Sequence, residues 1–411
     1  MKQRYLFLFL ILISTVARAQ NHTLDDFVQS AIKNSPLIRD LNNQILAGQI
    51  DSVRLRAGFR PQITGSVMGL YAPVIKSYGY STAITNGQQL TGLVTIDKQF
   101  IGKGYLNAQL LSILNQKDSI KNTIRLSEQD LRKTIAAQYI TAYGSQEQQR
   151  FNAEIVQLLT KEEQVLLKLT RSNVYRQSDY LTFLVTLKQA ELQKKQAELQ
   201  YKADYSTLKY LAGMRDTVLD TLSRPDIRNT LLADRSSSIF FKQFQLDSVR
   251  IKNAHQLIDY SYKPKFHLFV DGGYNSDLTV DYYKNLGASA GFGLSIPIYD
   301  GGQRKLAHRK IQLEENTRQQ YKQFFEQQYS QQIYQLKDQI KGYDQLLADI
   351  KSQFKYSESL IKVDTKLMQT GDLKIADLIL AINNYLSTKN LLTTNLIAQL
   401  QLINQLNYWN K

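Results

Sequence analysis

The stretch Gly291–Gly302 reads GFGLSIPIYDGG and is followed at once by a long polar run that begins QRKLAHRKIQLEEN. The residues that lead into this stretch alternate, with one face formed by Ala288, Ala290, Phe292, Leu294 and Ile296. Period-2 alternation is typical of a β-strand, whereas the polar run is typical of a helix. Pro297 suits a strand end, and Gly301 and Gly302 permit backbone angles that other residues avoid. The sequence therefore predicts a direct strand-to-helix junction here.

Strand-like runs occur four times, at about 61–72, 89–100, 264–275 and 286–299. In the third run Phe266, Leu268 and Val270 alternate with Lys265, His267 and Asp271. Runs of about ten residues with one apolar face and one polar or small face are typical of outer-membrane barrel strands. An ordinary half-buried sheet gives the same alternation, so the pattern alone leaves both interpretations open.

The predicted helices decide between these interpretations. Helices are expected at about 104–172 and 177–211, and again at about 302–370 and 374–408. The run from Gly104 to Ser172 contains no proline and a single internal glycine, Gly144, and would form roughly 100 Å of helix. A small globular domain has no use for helices of that length. We therefore assign the strands to a membrane barrel and the helices to its extension.

Two different hydrophobic spacings occur in the long helices. The second long helix carries a heptad series, which predicts a coiled-coil seam at Ile333, Ile340, Leu347, Phe354, Ile361 and Met368. In the first long helix the spacing alternates between seven and four, at Ile113, Ile120, Ile124, Leu131 and Ile135. A near-11 repeat winds less, or in the opposite sense. The two helices are thus expected to prefer different supercoils.

The chain repeats itself at a fixed offset of 198 residues, which places Gly104 on Gly302 and Asp179 on Asp377. The same offset places Asn173 on Gly371, and both residue types tolerate the left-handed conformation that ends a helix. We therefore predict a first repeat at 20–213, a linker at 214–235 and a second repeat at 236–411. Each repeat contains two strands and two long helices.

The N-terminal sequence MKQRYLFLFLILISTVARAQ has the basic start, apolar core and small-x-small site of a secretory signal peptide. We predict cleavage after Ala19, so that residues 1–19 are removed. The apolar core is too short for a transmembrane helix, which needs about 20 residues. No later run is long and apolar enough either, so contact with a membrane core would have to be made by strands.

Composition excludes several classes of function. The chain has no cysteine, which rules out disulfides and thiolate chemistry, and its four histidines show no metal-ligand spacing. The formal charge of +15 is dispersed along predicted helices, which favours solvated helix faces over nucleic-acid binding. No nucleophile–base pair, phosphate loop or metal constellation is visible. We expect neither an enzyme nor a cofactor-binding protein.

The sequence resembles the outer membrane efflux protein family, of which TolC is the best-known member. The residues that carry the likeness are SPLI (35–38), Pro61, IPIYDGG (296–302), TGDLKIADLILA (370–381) and QLNYW (405–409). The resemblance implies a mixed α and β membrane protein: a homotrimer whose twelve strands close one β-barrel in the outer membrane, continuous with a periplasmic α-barrel. From the residues alone, four strands require two or three chains, because the smallest transmembrane barrels have eight strands.

The resemblance also implies a role and its partners. Family members are exit ducts of tripartite efflux pumps or type I secretion systems, and they work with a periplasmic adaptor protein and an inner-membrane pump. The helical hairpin tips would meet the adaptor, and the docking candidates are Tyr175, Arg176, Leu373 and Lys374. Asp372 is the candidate for an acidic ring that gates the pore. Asp179 and Asp377 are expected to cap helices, and Asn173 and Gly371 to form the turns.

A second interpretation stays open from the sequence, namely a soluble periplasmic coiled-coil scaffold. It explains the long helices but not the four barrel-like strands or their fixed placement in each repeat. The first junction is also the less regular of the two, because QFIGKG stands where the second repeat has PIYDGG. Gly104 is the only glycine of the first junction that matches the second in the fixed register.

Overall fold

The structure is a computed structural model that describes residues 23–81, 84, 86–215, 218–227, 238–279 and 281–410. The predicted signal peptide, residues 1–19, lies outside the described residues, as does most of the second half of the predicted linker. The described elements follow one another in the order helix, helix, two strands, two helices, and then helix, two strands, two helices.

Seven α-helices, one short 3-10 helix (Tyr282–Lys284) and four strands are described. The helices are α1 (Leu24–Asn34), α2 (Pro36–Gly58), α3 (Lys103–Arg171), α4 (Gln177–Ala212), α5 (Ile239–Ser261), α6 (Gln303–Thr370) and α7 (Ile375–Tyr408). The strands are β1 (Gln62–Tyr71), β2 (Gln88–Phe100), β3 (Lys265–Ser276) and β4 (Leu286–Ser295). Within the described part of the chain, no helix combines the length and apolarity that crossing a bilayer demands.

The strands form one antiparallel sheet in the order β1-β2-β3-β4. Its register places Ile63, Ile96, Val270 and Ala290 in one row across all the strands. β2 and β3 are the central strands, although about 165 residues separate them in the chain. β1 and β4 each keep one edge without a strand partner among the described residues.

The chain divides into two compact units, and each unit contains residues from both predicted repeats. The strand unit consists of residues 40–124 and 241–324, and it holds the sheet with the helix segments that flank it. The helical unit consists of the described residues of 1–39, 125–240 and 325–411. The compact units therefore do not follow the boundaries of the predicted repeats.

Two buried clusters form the core of the helical unit. One contains Phe27, Tyr139, Tyr205 and Leu208, and the rings of Phe27 and Tyr139 meet edge to face at 5.8 Å between centroids. The other lies towards the ends of α3 and α6 and is built from Phe151, Leu159, Leu166, Phe183, Leu187, Met368 and Leu378. Each such side chain contributes roughly 1.5–3 kcal/mol relative to an exposed position.

Helix α1 was not among the predicted elements, although its N-terminal signal can be read from the sequence. The backbone N–H and hydroxyl of Thr23 both donate to the carboxylate of Asp26, at 2.8 and 2.9 Å. The Asp26 carboxylate thus satisfies the backbone N–H of the residue that precedes the helix, as the third helical residue does in a capping box. Phe27 and Val28 of α1 are fully buried, so the helix is fastened to the core of the helical unit.

Strand β4 ends at Ser295 and not at residue 299 as predicted, and residues 296–300 have no regular secondary structure. The apolar alternation continues through Ile296 and Ile298, past the last ladder pair, Lys265 with Ser295. Pro297 cannot donate a ladder hydrogen bond, which accounts for the early end.

Five of the six heptad positions predicted in α6 are buried, namely Ile333, Ile340, Leu347, Ile361 and Met368, and the sixth, Phe354, is half-buried. In α3 the predicted seven-and-four spacing agrees with the buried residues only at Ile135, which is 1% exposed, whereas Ile113, Ile120, Ile124 and Leu131 are half-buried. One buried row of α3 recurs every seven residues, at Ala108, Asn115, Asn122, Gln129, Ala136 and Tyr143, and from Ile135 onward further positions such as Tyr139, Ile140, Ile155 and Leu159 are buried as well. Small and polar residues occupy most of this row, so a search for apolar residues passes over it. The Gln129 amide, for example, donates to the carbonyls of Asn407 and Tyr408 at 3.3 and 3.0 Å.

The described part of the predicted linker packs on the helical unit. Leu222 is 5% exposed and belongs to the cluster around Tyr139. The Tyr139 hydroxyl donates to the carbonyl of Ser223 at 2.9 Å, and the Gln146 amide donates to the carbonyl of Leu222 at 2.9 Å. This segment is therefore part of the folded unit.

Candidate functional site

The sheet has one largely apolar face, which is solvent-exposed in the single chain; Lys98, across from Leu268, is the charged residue of its strand rows, and its ammonium donates to the Phe59 carbonyl. We call this surface the apolar face, and its register rows join Ile63, Val67, Val94, Ile96, Phe100, Phe266, Leu268, Val270, Ala288, Phe292 and Leu294. Val67 is 82% exposed, Val270 50% and Phe292 72%, so these side chains are not covered by the rest of the chain. Leu268 stands directly across from Phe292, as same-face residues on paired strands do.

The opposite face carries a hydrogen-bonded polar network. The Thr95 hydroxyl donates to the Asp271 carboxylate at 2.5 Å, and the Ser289 hydroxyl donates to its other oxygen at 3.3 Å. The Thr91 hydroxyl and the Gln89 amide both donate to the side-chain oxygen of Asn275, at 3.0 and 3.2 Å. These bonds link β2, β3 and β4 on one side only, so the two faces of the sheet differ sharply in polarity.

Aromatic rings explain the glycines of the GFGLS segment. Gly291 lies across from Phe269, and a Cβ atom at Gly291 would come within 2.4 Å of that ring. Gly293 lies across from His267, and a Cβ atom there would come within 2.3 Å of the imidazole. The sequence pattern shows small residues on this face but not the rings that need the space.

The second strand-to-helix junction is built by three consecutive residues, Asp300, Gly301 and Gly302. Gly301 and Gly302 have φ of 67° and 83°, in the left-handed region. The Asp300 carboxylate accepts the N–H groups of Gly302 and Arg304, at 2.8 and 2.7 Å, and so caps the start of α6. Hydrogen bonds from the Arg304 N–H, the Tyr262 side chain and the Gly302 N–H hold the pKa of Asp300 below its ordinary value. Pro297 lies in the segment just before this junction. Asp300 was not among the residues predicted to form it.

The first junction is built differently. Gly104 lies in the first turn of α3 and has no left-handed φ. A Cβ atom on Gly104 would come within 2.6 Å of the Tyr260 ring, so the glycine makes room for a side chain from α5. Gly102 occupies the position that matches Asp300 in the fixed register, and it offers no carboxylate to cap the helix. Interhelix packing, rather than an unusual backbone angle, therefore accounts for Gly104.

The two hairpin tips have the same turn conformation. Asn173 and Gly371 have φ of 59° and 85°. At the end of α3 the Val174 N–H donates to the Leu169 carbonyl, and at the end of α6 the Asp372 N–H donates to the Leu367 carbonyl, both at 3.0 Å. The pairs Asn173–Thr170 and Gly371–Met368 close the inner bond at 3.0 and 3.2 Å. This is the Schellman motif, and every matching atom pair is 198 residues apart.

The structure brings the tips of both hairpins together. The Tyr175 hydroxyl donates to the Met368 carbonyl at 3.2 Å, and the Val174 side chain lies 2.7 Å from where a Cβ atom of Gly371 would be. Tyr175 and Leu373 are half-buried against the core cluster around Met368. Of the predicted docking residues, Arg176 and Lys374 are the exposed pair.

The predicted acidic residues of the tips have distinct surroundings. Asp372 is exposed at the turn. The Asp179 carboxylate accepts the Arg176 N–H at 3.1 Å, which satisfies a backbone group at the start of α4. Asp377 lies in the first turn of α7, where a negative charge suits the helix dipole.

Two buried acids near the tips had no signal in the sequence. Glu162 of α3 is 2% exposed, and one of its carboxyl oxygens has no hydrogen-bond partner among the described residues. Burial raises the pKa of Glu162 above its ordinary value of 4.5. Asp364 of α6 is 7% exposed, and burial, with a smaller contribution from the negative charge of Asp377, raises its pKa as well.

Two of the scattered histidines meet in the strand unit. The rings of His255 and His308 stack with centroids 5.0 Å apart, and their Nδ1 atoms are 2.7 Å apart. The Nε2 atom of His308 is 3.1 Å from the Asp259 carboxylate, which also accepts a hydrogen bond from Arg304 at 2.7 Å. Among the described residues, no group of three potential ligands could hold a metal ion.

No protein-family model and no curated protein sequence matches the chain significantly. The fold, however, is similar to solved structures. VceC, an outer membrane protein from Vibrio cholerae, superposes with a TM-score of 0.72 at 12% identity, over 94% of this chain and 96% of that chain. The open state of the Neisseria gonorrhoeae MtrE outer membrane channel gives 0.73 at 12% identity, over 94% and 88%. The Campylobacter jejuni CmeC outer membrane channel gives 0.68 at 12% identity, over 94% and 86%.

The chain has the TolC-like outer membrane efflux channel fold. Coverage of nearly the whole chain on both sides means that the TolC-like fold includes the sheet, both junctions and both hairpins. At 12% identity the likeness concerns the fold and does not transfer individual residues.

Proposed function

We propose that this protein is the outer membrane exit duct of an export machine, either a tripartite efflux pump or a type I secretion system. It passively conducts small molecules or exported proteins from a periplasmic adaptor and an inner-membrane transporter to the outside. The observation that carries the proposal is the sheet, which exposes a largely apolar face on one side and a hydrogen-bonded polar network on the other.

The apolar face needs a covering, because soluble proteins rarely expose contiguous apolar patches of this kind. Lipid is the covering that fits, since the same strands present Asp271, Asn275 and their partners on the reverse side, where water fills a channel. A soluble coiled-coil scaffold explains the long helices but gives the apolar face nothing to contact.

The free edges of β1 and β4 call for further chains. Unpaired backbone groups are costly in a membrane, so a spanning sheet must close on itself. Four strands are too few, because the smallest known barrels have eight. We propose a cyclic homotrimer in which β1 of one protomer pairs with β4 of the next to give a twelve-stranded barrel. The long helices of the three chains then form a periplasmic α-barrel.

The hairpin tips are the proposed adaptor-docking surface. Arg176 and Lys374 are exposed beside a tip core that Tyr175 and Leu373 help to build. Charge reversal at Arg176 and Lys374 is expected to reduce export while the oligomer still assembles. Unchanged export in that double variant, measured beside the wild type, contradicts tip docking.

Membrane fractionation and conductance test the duct function directly. We expect the wild-type protein in the outer membrane fraction, with a detergent-extracted mass of three chains and ion conductance in planar bilayers. Leu268→Arg places a charge on the apolar face and should cost about 2–4 kcal/mol near the bilayer midplane, enough to block assembly. Ser289→Arg is the matched control, because it lies on the polar face beside the Asp271 carboxylate.

A different set of results supports the scaffold. Wild-type protein that leaves the cell with the periplasmic fluid and forms no conducting oligomer contradicts the duct. Normal assembly of the Leu268→Arg variant contradicts the assignment of the apolar face to lipid.

A further inference from the structure

A cavity of about 590 Å³ lies in the strand unit at the first strand-to-helix junction. Its walls come from the end of β2, the start of α3 and the connection from α5 to β3. Three lysines line it, Lys103, Lys263 and Lys265, and none of the described residues in the lining is acidic. The remaining walls are largely aromatic or apolar, and they include Phe59, Phe100, Tyr105, Tyr260 and Pro264.

The positive charge of this cavity is not compensated by the protein. None of the three lysines forms an ion pair within the described residues, and the ammonium of Lys263 instead lies 4.6 Å from the centroid of the Tyr260 ring. The neighbouring Lys98 ammonium donates to the Phe59 carbonyl and is already used. Clustered cations with low-dielectric walls attract an anion.

The second junction provides an internal comparison. There the Asp300 carboxylate caps α6, and Asp259 pairs with Arg304 at 2.7 Å. The first junction has Gly102 where the second has Asp300, so the same register position supplies an anion in one junction and none in the other. The first junction therefore has no carboxylate at the position where the second junction has Asp300.

The apolar face supplies the other half of the ligand. Phe100 lines the cavity and also belongs to the apolar face, where its ring lies 5.6 Å from that of Phe266. A molecule with its head in the cavity can place its chains on Phe100 and the apolar side chains beyond it. An anion without an apolar part would make no contact with Phe100 and the apolar side chains beyond it.

We propose that this cavity binds the phosphate-bearing headgroup of an anionic phospholipid, which rests on the proposed function because it requires the apolar face to meet lipid. Lys103 and Lys263 contact the phosphate, and the acyl chains lie along the apolar face, whereas Lys265 belongs to the polar face with His267 and Asp271. Basic pockets at membrane interfaces bind anionic headgroups in this way.

Titration of the purified full-length oligomer in a neutral detergent tests the site. The probe is dioctanoyl-phosphatidylglycerol, and native mass spectrometry reads the number of lipids bound per chain. We expect one saturable site per chain, and dioctanoyl-phosphatidylcholine with the same acyl chains should not fill it. Each of Lys103→Gln and Lys263→Gln should weaken binding about fivefold. Lys284→Gln is the control, since that lysine pairs with Asp281 outside the cavity.

A second variant separates binding from folding. Gly102→Asp gives the first junction the carboxylate that the second has, and no atom lies within 4 Å of a Cβ atom at Gly102. We expect Gly102→Asp to abolish phosphatidylglycerol binding in an oligomer that still assembles and conducts. Equal binding by the lysine variants, the Gly102→Asp variant and the wild type overturns the site.

The remaining outcomes identify the source of the anion and isolate the proposed function. If inorganic phosphate competes as strongly as the lipid binds, the ligand is a free anion and the lipid assignment is overturned. If the protein is in the outer membrane but does not bind the lipid, only the lipid-binding proposal is contradicted. If the protein is found in the periplasmic fluid, the proposed duct function is contradicted, and the lipid assignment that rests on it is contradicted too.

Discussion

Gly291 and Gly293 accommodate rings from the neighbouring strand, and this contact can be tested residue by residue. Gly291→Val would place a side chain where the Phe269 ring lies. Overpacking of this kind costs about 1–3 kcal/mol, so the heat resistance of the oligomer should fall. Valine is favoured in β-strands. The backbone at Gly291 has no left-handed φ that would require glycine.

The rescue experiment uses the partner residue. Phe269→Ala should restore heat resistance in the Gly291→Val background, because it vacates the same space. Gly287→Val is the control on the same strand, since nothing lies within 4 Å of a Cβ atom there. If Gly291→Val and Gly287→Val behave alike, the ring does not determine the choice of glycine.

Local backbone rules account for the parts of the fold that the sequence predicted well. The tip turns at Asn173 and Gly371 could be located because few residues adopt the left-handed conformation. The role of Gly104 and the pairing of His255 with His308 could not be located, because both depend on contacts between segments far apart in the chain. The buried row of α3 was missed because Asn115, Asn122 and Gln129 are polar and Ala108 and Ala136 are small.

At the scale of the helix, the burial of Glu162 makes the stability of α3 packing depend on pH. The pKa of Glu162 is raised in the folded state, so the folded protein holds this proton more tightly than the unfolded chain does. Its contribution is fully present below pH 4.5, the ordinary pKa, and is lost as the pH rises through the folded pKa. Asp364 shifts in the same direction and adds to the trend.

Substitution of Glu162 by Gln removes the buried charge. We expect Glu162→Gln to raise the free energy of unfolding by about 1–3 kcal/mol at pH 8 and to change it little at pH 4. Denaturant unfolding at both pH values measures the difference. Glu154→Gln is the control, because the Glu154 side chain is 64% exposed. Equal effects of the two substitutions at pH 8 contradict a buried, ionised Glu162.

At the scale of the whole assembly, a closed duct must narrow somewhere, and the tips are the proposed place. The second tip carries Asp372 where the first tip carries Val174 in the fixed register. In a trimer, three carboxylates would therefore alternate with three valines. Like charges at such a ring attract cations.

Conductance in planar bilayers tests the ring in both directions. Asp372→Asn should reduce the block by divalent cations, and Val174→Asp should strengthen it because the number of carboxylates doubles. Heat-resistant oligomer in both variants shows that assembly is intact. Divalent block that is the same in wild type and both variants places the constriction elsewhere and leaves Asp372 as a turn residue.

The contact between Phe269 and Gly291 also constrains how this sheet can evolve. A ring on β3 and a side chain on β4 cannot occupy the same space, so neither position is free to drift alone. Descendants that lose the ring gain the freedom to replace the glycine, whereas descendants that keep it do not. Aligned relatives of this chain should therefore show the two columns covarying, and the same should hold for His267 with Gly293.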